Sequence, residues 1–494
     1  MKLDYRSVPY RILENGLRLG GILVFSVFIS SGNGMDILQT ATFLFFGLLL
    51  VGSWEAAYVR NYEYRLDADT FDIYSGVFSR REREIPFERI QNVDIAQNVI
   101  QRALGIAEVR LETAGGGGGS EASLRYVSRQ EATRLQELIS RRKSGETAER
   151  DPGATDDILF ELDNRELGIL GVTSANVRLL GLLSGLFLIA SPIAAEQVSP
   201  RLEILLVLGP ALAVAALVAL WMLSGVQAVL RYYGFRLLRH DEELRYQRGL
   251  LQQYDGTIPL SKIQTLMIRE NLLARAVGYG SLAIETAGYA PGQDSNVEAA
   301  VPIAKRDRVF ELARTIEDIG EPEFTRPPKR ARTRYVARYT IVVGILTGLL
   351  GGYQYLSGNL PFWYAGALLW LLVPPAAHLK WTNLGYYTDD NYVITRSGFW
   401  TRRTTIVPYY RVQTVSSSQT VFQRRRDLAT LVVDTATSGS FWGGDAVALD
   451  IDVETAERLR ERIHDEFHES IIERKRQRDR RQPVGRGPAS AVED

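Results

Sequence analysis

The chain is 494 residues long, which is room for about three domains. Its 58 basic and 58 acidic side chains balance at pH 7, so the net charge favours neither nucleic acid nor an acidic partner. The absence of cysteine excludes disulfides and thiolate chemistry. Long apolar runs alternate with charged, strand-rich segments, and this segregation predicts a membrane protein that carries soluble modules.

Six apolar runs, arranged in three pairs, predict six transmembrane helices in three hairpins, because a membrane helix needs about 20 apolar residues. Buried core helices of a soluble protein are the alternative, but they do not explain three successive pairs. The runs are Leu19 to Ser30, Ile37 to Tyr58, Leu179 to Ala195, Ile204 to Leu230, Tyr339 to Leu356 and Pro361 to Leu379.

The charges around these runs predict their orientation. Among the short links inside the pairs, Arg201 is the one basic residue, whereas Lys and Arg cluster on the outer flanks. The positive-inside rule therefore places both termini and all soluble modules in the cytoplasm of a multi-pass cell-membrane protein. Glu55 and His378 are the ionisable residues within the runs, and both lie near an end of a run.

A block of 31 residues occurs three times without a gap, which makes the chain three copies of one module. The copies run from Ile85 to Gly115, from Ile258 to Gly288 and from Val407 to Thr437. Each begins with a hydrophobic residue and Pro, contains a basic–hydrophobic–Gln triplet, and ends with an acidic residue, Thr and Ala. The triplets begin at Arg89, Lys262 and Arg411, and the acidic residues are Glu112, Glu285 and Asp434.

Local patterns predict that each copy is a small α+β unit of about 80 residues. A glycine stands nine residues before each block and predicts a hairpin turn with positive φ. Alternating side chains at the end of each block predict half-buried antiparallel strands. A short helical turn precedes these strands and is closed by Gly105 or Gly278, where the third copy has Asp427. An amphipathic helix closes each module and is expected to cover one end of a curved sheet.

These patterns predict the domain boundaries. Membrane hairpins are expected at 1–58, 179–230 and 339–380, and modules at 59–142, 231–320 and 381–472. Polar or proline-rich linkers are expected at 143–178 and 321–338, and a basic disordered tail at 473–494.

The order IP…RIQ…LG…ETAG after a membrane hairpin resembles the bacterial pleckstrin-homology (PH) membrane proteins of the YdbT-like type. The resemblance covers nearly the whole chain, including the triplication. It implies a mixed membrane-helical and α+β protein in which each hairpin is followed by a PH-like split β-barrel with a C-terminal helix as its cap. It brings no catalytic motif. The third module departs most from the pattern, with Asp427 and Thr437 where the other copies have Gly.

Recurring basic residues are the candidate binding residues for lipid or a partner. The triplet bases either form a shared site with the recurring carboxylates or, as we favour, pair with them to hold the module together. The arginines in the helical turns either meet lipid phosphates or tie the turn to the sheet, and the sequence leaves both open. The candidates are Arg89, Arg102, Lys262, Arg275, Arg411, Arg424, Arg425 and Arg426.

The sequence predicts a non-enzymatic membrane scaffold that binds membrane lipids with anionic headgroups, another membrane protein or a second copy of itself, but no nucleic acid. Gly115 to Gly119 lacks the Lys-Ser/Thr of a P-loop, and His464 with His468 lacks further zinc ligands, so we expect no cofactor, metal or catalytic residue. A lipid or small-molecule transport path through the six helices is the alternative, although transport sites usually carry ionisable residues deep within the spans.

Overall fold

The structure is a computed structural model that describes residues 1–15, 37–113, 122–144, 157–174, 203–240, 242–286, 298–358, 363–436 and 446–481. The predicted membrane runs Leu19 to Ser30 and Leu179 to Ala195 and the glycine run Gly115 to Gly119 lie outside the described residues. The chain forms two compact units. The first contains Met1–Asp163, Val229–Lys262 and Ala287–Tyr289, and the second contains Asn164–Ala228, Ile263–Thr286 and Ala290–Asp494.

The helices include both long apolar segments and short turns between strands. They are α1 over 7–15, α2 (Ile37–Arg60), α3 (Val99–Leu104), α4 (Arg129–Ser144), α5 (Asn164–Thr173), α6 (Glu203–Tyr232), α7 (Leu272–Ala276), α8 (Arg306–Ile316), α9 (Lys329–Ser357), α10 (Val373–Thr382), α11 (Val421–Arg424) and α12 (Val453–Arg481). 3₁₀ helices lie at Phe87–Arg89, Leu260–Lys262, Trp363–Leu372 and Tyr409–Arg411.

The strands of each module fall into an N-terminal and a C-terminal group of three, with β7 added before the second module. Module 1 contains β1 (Glu63–Leu66), β2 (Thr70–Ser75), β3 (Arg81–Pro86), β4 (Ile90–Asn98), β5 (Ile106–Thr113) and β6 (Ala122–Ser128). Next come β7 (Asp157–Glu161) and the module 2 strands β8 (Arg236–His240), β9 (Glu243–Arg248), β10 (Gln252–Pro259), β11 (Ile263–Asn271), β12 (Tyr279–Thr286) and β13 (Glu298–Lys305). Module 3 contains β14 (Gly385–Thr388), β15 (Tyr392–Ser397), β16 (Thr401–Pro408), β17 (Val412–Ser418), β18 (Leu428–Thr435) and β19 (Ala446–Asp452).

The sheets cross the boundaries between modules. The C-terminal strands of module 1 continue into the N-terminal strands of module 2, in the order β6-β5-β4-β10-β9-β8-β7. Modules 2 and 3 are joined in the same way, in the order β13-β12-β11-β16-β15-β14. The first and last groups, β1-β2-β3 and β17-β18-β19, remain three-stranded sheets. A module on its own would expose the edge of its sheet. At both junctions this edge is paired with a strand of the neighbouring module.

A shared hydrophobic core defines the module itself. In module 1, Phe71 and Ile85 of the N-terminal strands pack in one buried cluster with Val109 of β5 and with Leu135 and Ile139 of α4. Module 3 has the same arrangement, and its cluster includes residues of β15 to β19 and of α12. The predicted role of the closing helices is thus confirmed in both modules. Among the described strands no sheet closes into a barrel, so the expected split barrel is seen only as two half-sheets around a core.

The predicted glycine turns are confirmed. Gly76, Gly249 and Gly398 all have positive φ, between 104° and 121°, in the hairpins before β3, β10 and β16. The turn after the short helix keeps its left-handed backbone in all modules, since Gly105 and Gly278 have φ of 70° and 77° and Asp427 has φ of 49°. Asp tolerates this region better than most residues, so the third module retains the turn without glycine.

Several boundaries differ from the prediction. The expected linker 143–178 contains β7, which pairs with β8, and α5. Leu159 and Phe160 of β7 are buried. A run of only three apolar residues was enough to form this short strand, although it gave little sign of one in the sequence. The helix α9 begins at Lys329, inside the expected linker 321–338, directly after Pro328 at its N-cap. The helix α12 continues to Arg481, so part of the expected disordered tail is helical.

The six predicted spans are not confirmed. Two helical stretches in the described part of the chain are long and apolar enough to cross a membrane, Val214–Tyr232 within α6 and Lys329–Ser357. The run from Pro361 to Leu379 is not one α-helix but a 3₁₀ helix, Trp363–Leu372, followed by α10. Pro374 and Pro375 lie in the first turn of α10 and cannot donate the backbone hydrogen bonds that a continuous α-helix requires.

Glu55, an ionisable residue of the second apolar run, has two structural partners. It is 5% exposed in α2 and accepts hydrogen bonds from Arg11 Nε at 2.5 Å and Asn15 Nδ2 at 2.7 Å. Both partners lie in α1. The carboxylate therefore ties α1 to α2.

We predict that Gly249→Ala lowers the free energy of unfolding by more than about 1 kcal/mol, because an L-residue is strained at this backbone conformation. An added Cβ would also lie 1.9 Å from the carbonyl oxygen of Gln252. The measurement is thermal unfolding of the purified full chain. Gly168→Ala in α5 is the matched control, since no atom lies within 4 Å of its added Cβ and alanine favours a helix. Equal melting temperatures for the two variants would contradict the prediction.

Candidate functional site

The recurring arginines of the helical turns connect neighbouring modules. In module 1, Arg102 Nη2 donates to the carbonyl oxygen of Leu250, in the β9–β10 turn of module 2, at 2.5 Å. In module 2, Arg275 Nη1 donates to Asn383 Oδ1, just before β14 of module 3, at 3.2 Å. Neither contact ties the turn to the strands of its own module. The sequence left lipid or the sheet as the alternatives, and the structure shows a third role at two of the three positions.

The triplet bases lie at the ends of three equivalent 3₁₀ turns. Arg89 is exposed, and Lys262 and Arg411 are half-buried. The guanidinium of Arg411 lies over the ring of Tyr410, 4.9 Å from its centroid. Each of the three residues belongs to a different module. Their pairing with the recurring carboxylates stays a prediction.

The remaining candidates are neighbours in module 3. Arg424 ends α11, and Arg425 and Arg426 follow in the next turn. Arg424 and Arg425 are exposed, and Arg426 is half-buried. This group presents positive charge on the surface of module 3.

The junction of modules 2 and 3 contains a cluster of four arginines around one buried carboxylate, which we call the junction cluster: Arg275, Arg306, Arg396, Arg402 and Glu270. Glu270 of β11 lies opposite Arg402 of β16 and accepts from it twice, at 2.7 Å and 2.6 Å. The Nε of Arg306, at the start of α8, lies 3.6 Å from the same carboxylate. Only 2% of the Glu270 side chain is exposed, so the carboxylate interacts with the arginines in a medium of low polarity.

Positive charge exceeds negative charge in the junction cluster. Burial, followed by the charges of Arg402 and Arg306, lowers the pKa of Arg396 to about 10, and Glu270 only partly opposes this. Burial and Arg402 likewise lower the pKa of Arg275. The guanidinium of Arg396 also lies 3.5 Å from the ring centroid of Phe324. A further anion at this place would favour the charged guanidinium groups, against the burial and the repulsion that lower these pKa values.

The chemistry of the junction cluster suits an oxyanion. A guanidinium carries five N–H donors in a planar fork, which matches the oxygens of a phosphate or a carboxylate. The sequence pointed to Arg275, as a recurring arginine of a helical turn, and Arg402 stands beside Arg403 as a pair of basic residues. Glu270, Arg306 and Arg396 carried no signal, because they lie far apart in sequence and meet only through the pairing of β11 with β16.

Three modules of antiparallel strands, joined edge to edge and each closed by a helix, define a tandem-repeat protein. Residues 17–143, 184–319 and 341–467 each match the sequence family described as "Bacterial PH domain". The chain therefore belongs to the bacterial PH domain family. The chain is similar to the UPF0699 transmembrane protein YdbT of Bacillus subtilis (strain 168), with 26% identity over 412 residues, which covers 77% of this chain and 80% of the relative. No solved structure matches.

We predict that Glu270→Gln lowers the free energy of unfolding by about 3 kcal/mol, because it leaves the largely buried Arg402 without its counter-charge. Thermal or denaturant unfolding of the full chain measures this change. Glu161→Gln serves as control, since the ion pair of Glu161 with Arg236 is about half exposed on both sides. Loss of that exposed pair is expected to cost less than about 1 kcal/mol. A cost for Glu270→Gln as small as that of the control would show that the junction cluster contributes little.

Proposed function

We propose that this protein is a non-enzymatic membrane scaffold whose modules bind anionic lipid headgroups and partner proteins on the cytoplasmic side. Two helical stretches long enough to cross a bilayer support a membrane location, as does the similarity to a transmembrane protein. The complete proposal has six spans in three hairpins, with the modules placed inside by the basic residues that flank them.

The junction cluster is the observation that carries the lipid part of the proposal. Arg402 and Arg306 pair with one carboxylate, and the pKa of the nearby Arg396 is lowered by burial and by its basic neighbours. A lipid phosphate would accept hydrogen bonds from guanidinium groups and reduce their mutual repulsion. A soluble phosphate has the same chemistry, so headgroup and free anion must be distinguished by experiment.

The edge-to-edge junctions support the scaffold part of the proposal. Each paired edge places strands of one module at a fixed register against strands of the next. Linked modules can bind several ligands with a gain in effective concentration.

We predict that short-chain phosphatidylglycerol raises the melting temperature of the purified full chain, whereas phosphatidylcholine does not. Arg396→Gln should weaken this binding about tenfold, because it removes one charge-assisted hydrogen-bond donor. Inorganic phosphate forms the third arm and tests for a free anion as the ligand. Arg236→Gln is the matched control, since Arg236 is an exposed arginine paired with Glu161.

The lipid role would be overturned if phosphatidylcholine raised the melting temperature as much as phosphatidylglycerol does. It would also be overturned if the Arg396→Gln variant bound phosphatidylglycerol as well as the unchanged chain. Stabilisation by phosphate alone would replace the headgroup with a soluble anion. Both variants keep Glu270 and Arg402, so a general loss of folding is not expected from either.

A further inference from the structure

Both internal junctions use the same register. At the first junction Gln252 lies opposite Asn98, and at the second Thr401 lies opposite Asn271. Gln252 and Thr401 each stand six residues before the hydrophobic-Pro start of their block, and Asn98 and Asn271 each stand thirteen residues after theirs. The third strand of one module therefore pairs with the fourth strand of the preceding module. The paired positions follow one rule, because they are fixed relative to the start of the repeated block.

In the part of the chain that the structure describes, the same rule leaves one donor strand and one acceptor strand unused. The donor is β3 of module 1, which pairs with β2, and the acceptor is β17 of module 3, which pairs with β18. Arg81 to Glu84 of β3 are all exposed, whereas the equivalents of Glu82 to Glu84, residues 255–257 in β10, are all buried at the first junction. On β17, Ser416 and Ser417 are exposed, whereas their equivalents Met267 and Ile268 are buried.

An open groove adjoins the acceptor edge. It has a volume of about 730 Å³ and lies between β17 and the closing helix α12. Its lining includes Val412, Gln413 and Val415 on the strand side and Arg460, Ile463 and Phe467 on the helix side.

The next module contacts the equivalent residues at the internal junctions. Thr257 of module 2 donates to Asn92, the equivalent of Thr414, at 3.3 Å. Tyr392 and Tyr410 of module 3 donate to Glu317, the equivalent of His464, at 2.9 Å and 3.3 Å. His464 lines the groove in module 3. The groove is thus the third copy of a site that a following module contacts twice within this chain.

The arginines of the helical turns show the same difference. Arg102 and Arg275 each bind a group of the following module. Arg424 occupies the third equivalent position and is exposed, and no polar partner of its side chain lies within the described ranges.

We propose that the β3 strand of a second copy of this chain adds to β17 in the register of the internal junctions. Arg81 then lies opposite Ser418, Arg83 opposite Ser416 and Glu84 opposite Val415. Arg424 donates to the carbonyl oxygen of Val77 in the second copy, the equivalent of Leu250. The contact is head-to-tail, because each copy offers a donor strand in module 1 and a different, acceptor strand in module 3, so copies form a ring or an open array.

Sequence and charge favour a second copy as the occupant. The strand β3 is the chain's own equivalent of β10 and β16, and it ends in the same hydrophobic-Pro pair. The acceptor offers serine hydroxyls opposite the charged side chains of β3, so no like charges face each other across the edge. In this register Glu84 lies opposite Val415, which lines the groove together with Arg460. Charges on an edge strand discourage indiscriminate pairing and restrict it to a matching partner.

The inference names a partner for the proposed scaffold and so rests on that proposal. Because the chain has no cysteine, a pair of introduced cysteines can report the proposed contact without competing native thiols. Two differently tagged full-length copies, one with Arg83→Cys and the other with Ser416→Cys, are produced together and oxidised in their native membranes. Directly opposite residues of paired strands are close enough for a disulfide. We expect at least about tenfold more mixed-tag dimer than with Glu84→Cys and Ser416→Cys, since adjacent strand residues point to opposite faces.

The internal junction supplies the positive control. Thr405 and Met267 lie opposite each other at the positions equivalent to Arg83 and Ser416, so Thr405→Cys with Met267→Cys in one chain should form an intramolecular disulfide. Arg424→Ala should reduce the yield of mixed-tag dimer severalfold and leave the internal disulfide unchanged.

Mixed-tag dimer at or below the yield of the Glu84→Cys pair, with the internal control formed, would overturn the proposal. A disulfide that forms within a single chain carrying both Arg83→Cys and Ser416→Cys, without mixed-tag dimer, would also overturn it. If cross-linking fails while phosphatidylglycerol still stabilises the protein, the self-association is wrong and the lipid role stands. If cross-linking succeeds while phosphatidylglycerol does not stabilise the protein, the self-association stands and the lipid role is wrong.

Discussion

Backbone pairing between the edge of one module and the edge of the next is the interaction on which the structure depends. A sheet edge presents unpaired N–H and C=O groups, and an isolated module would expose such a row on β4, β10, β11 and β16. The chain pairs these edges with each other, as β4 with β10 and β11 with β16. The repeat in the sequence is therefore not the unit of the sheet, because each large sheet takes strands from two successive modules.

Equivalent positions differ in chemistry because the two junctions have different neighbours. The first junction places Gln253 opposite Gln97, two neutral amides, at the position where the second places Arg402 opposite Glu270. The charged pair recruits Arg306 and lies among further arginines, whereas the neutral pair does not require a counter-charge. One backbone register thus supports a structural contact at one junction and a candidate anion site at the other.

A buried carboxylate joins an apolar helix to the last module. Asp450 of β19 is 1% exposed and accepts hydrogen bonds from Arg334 and Tyr335, both near the start of α9, and from Gln423 at 2.8 Å. The aspartate has a left-handed backbone, with φ of 57°. Removing one member of such a network leaves the buried charge incompletely paired, so the position of module 3 is coupled to the helix that precedes it.

Much of the module could be predicted from the sequence, since side-chain periodicity reports which face of a strand or helix is buried. The triplication, the turns at Gly249 and Gly398 and the amphipathic closing helices all follow from local spacing, and the first of these helices buries Ala132, Leu135 and Ile139. The short strand β7 was missed, because a few apolar residues within a polar segment resemble a linker as much as a strand.

The sequence by itself determined the number of modules and the inner face of each element. The tertiary structure alone decided which edges meet, and with them the junction cluster that Glu270 forms with Arg396 and Arg402. The physical reason is that strand pairing uses backbone groups that nearly every residue carries. The pattern of side chains therefore shows that an edge exists but does not identify the strand that covers it.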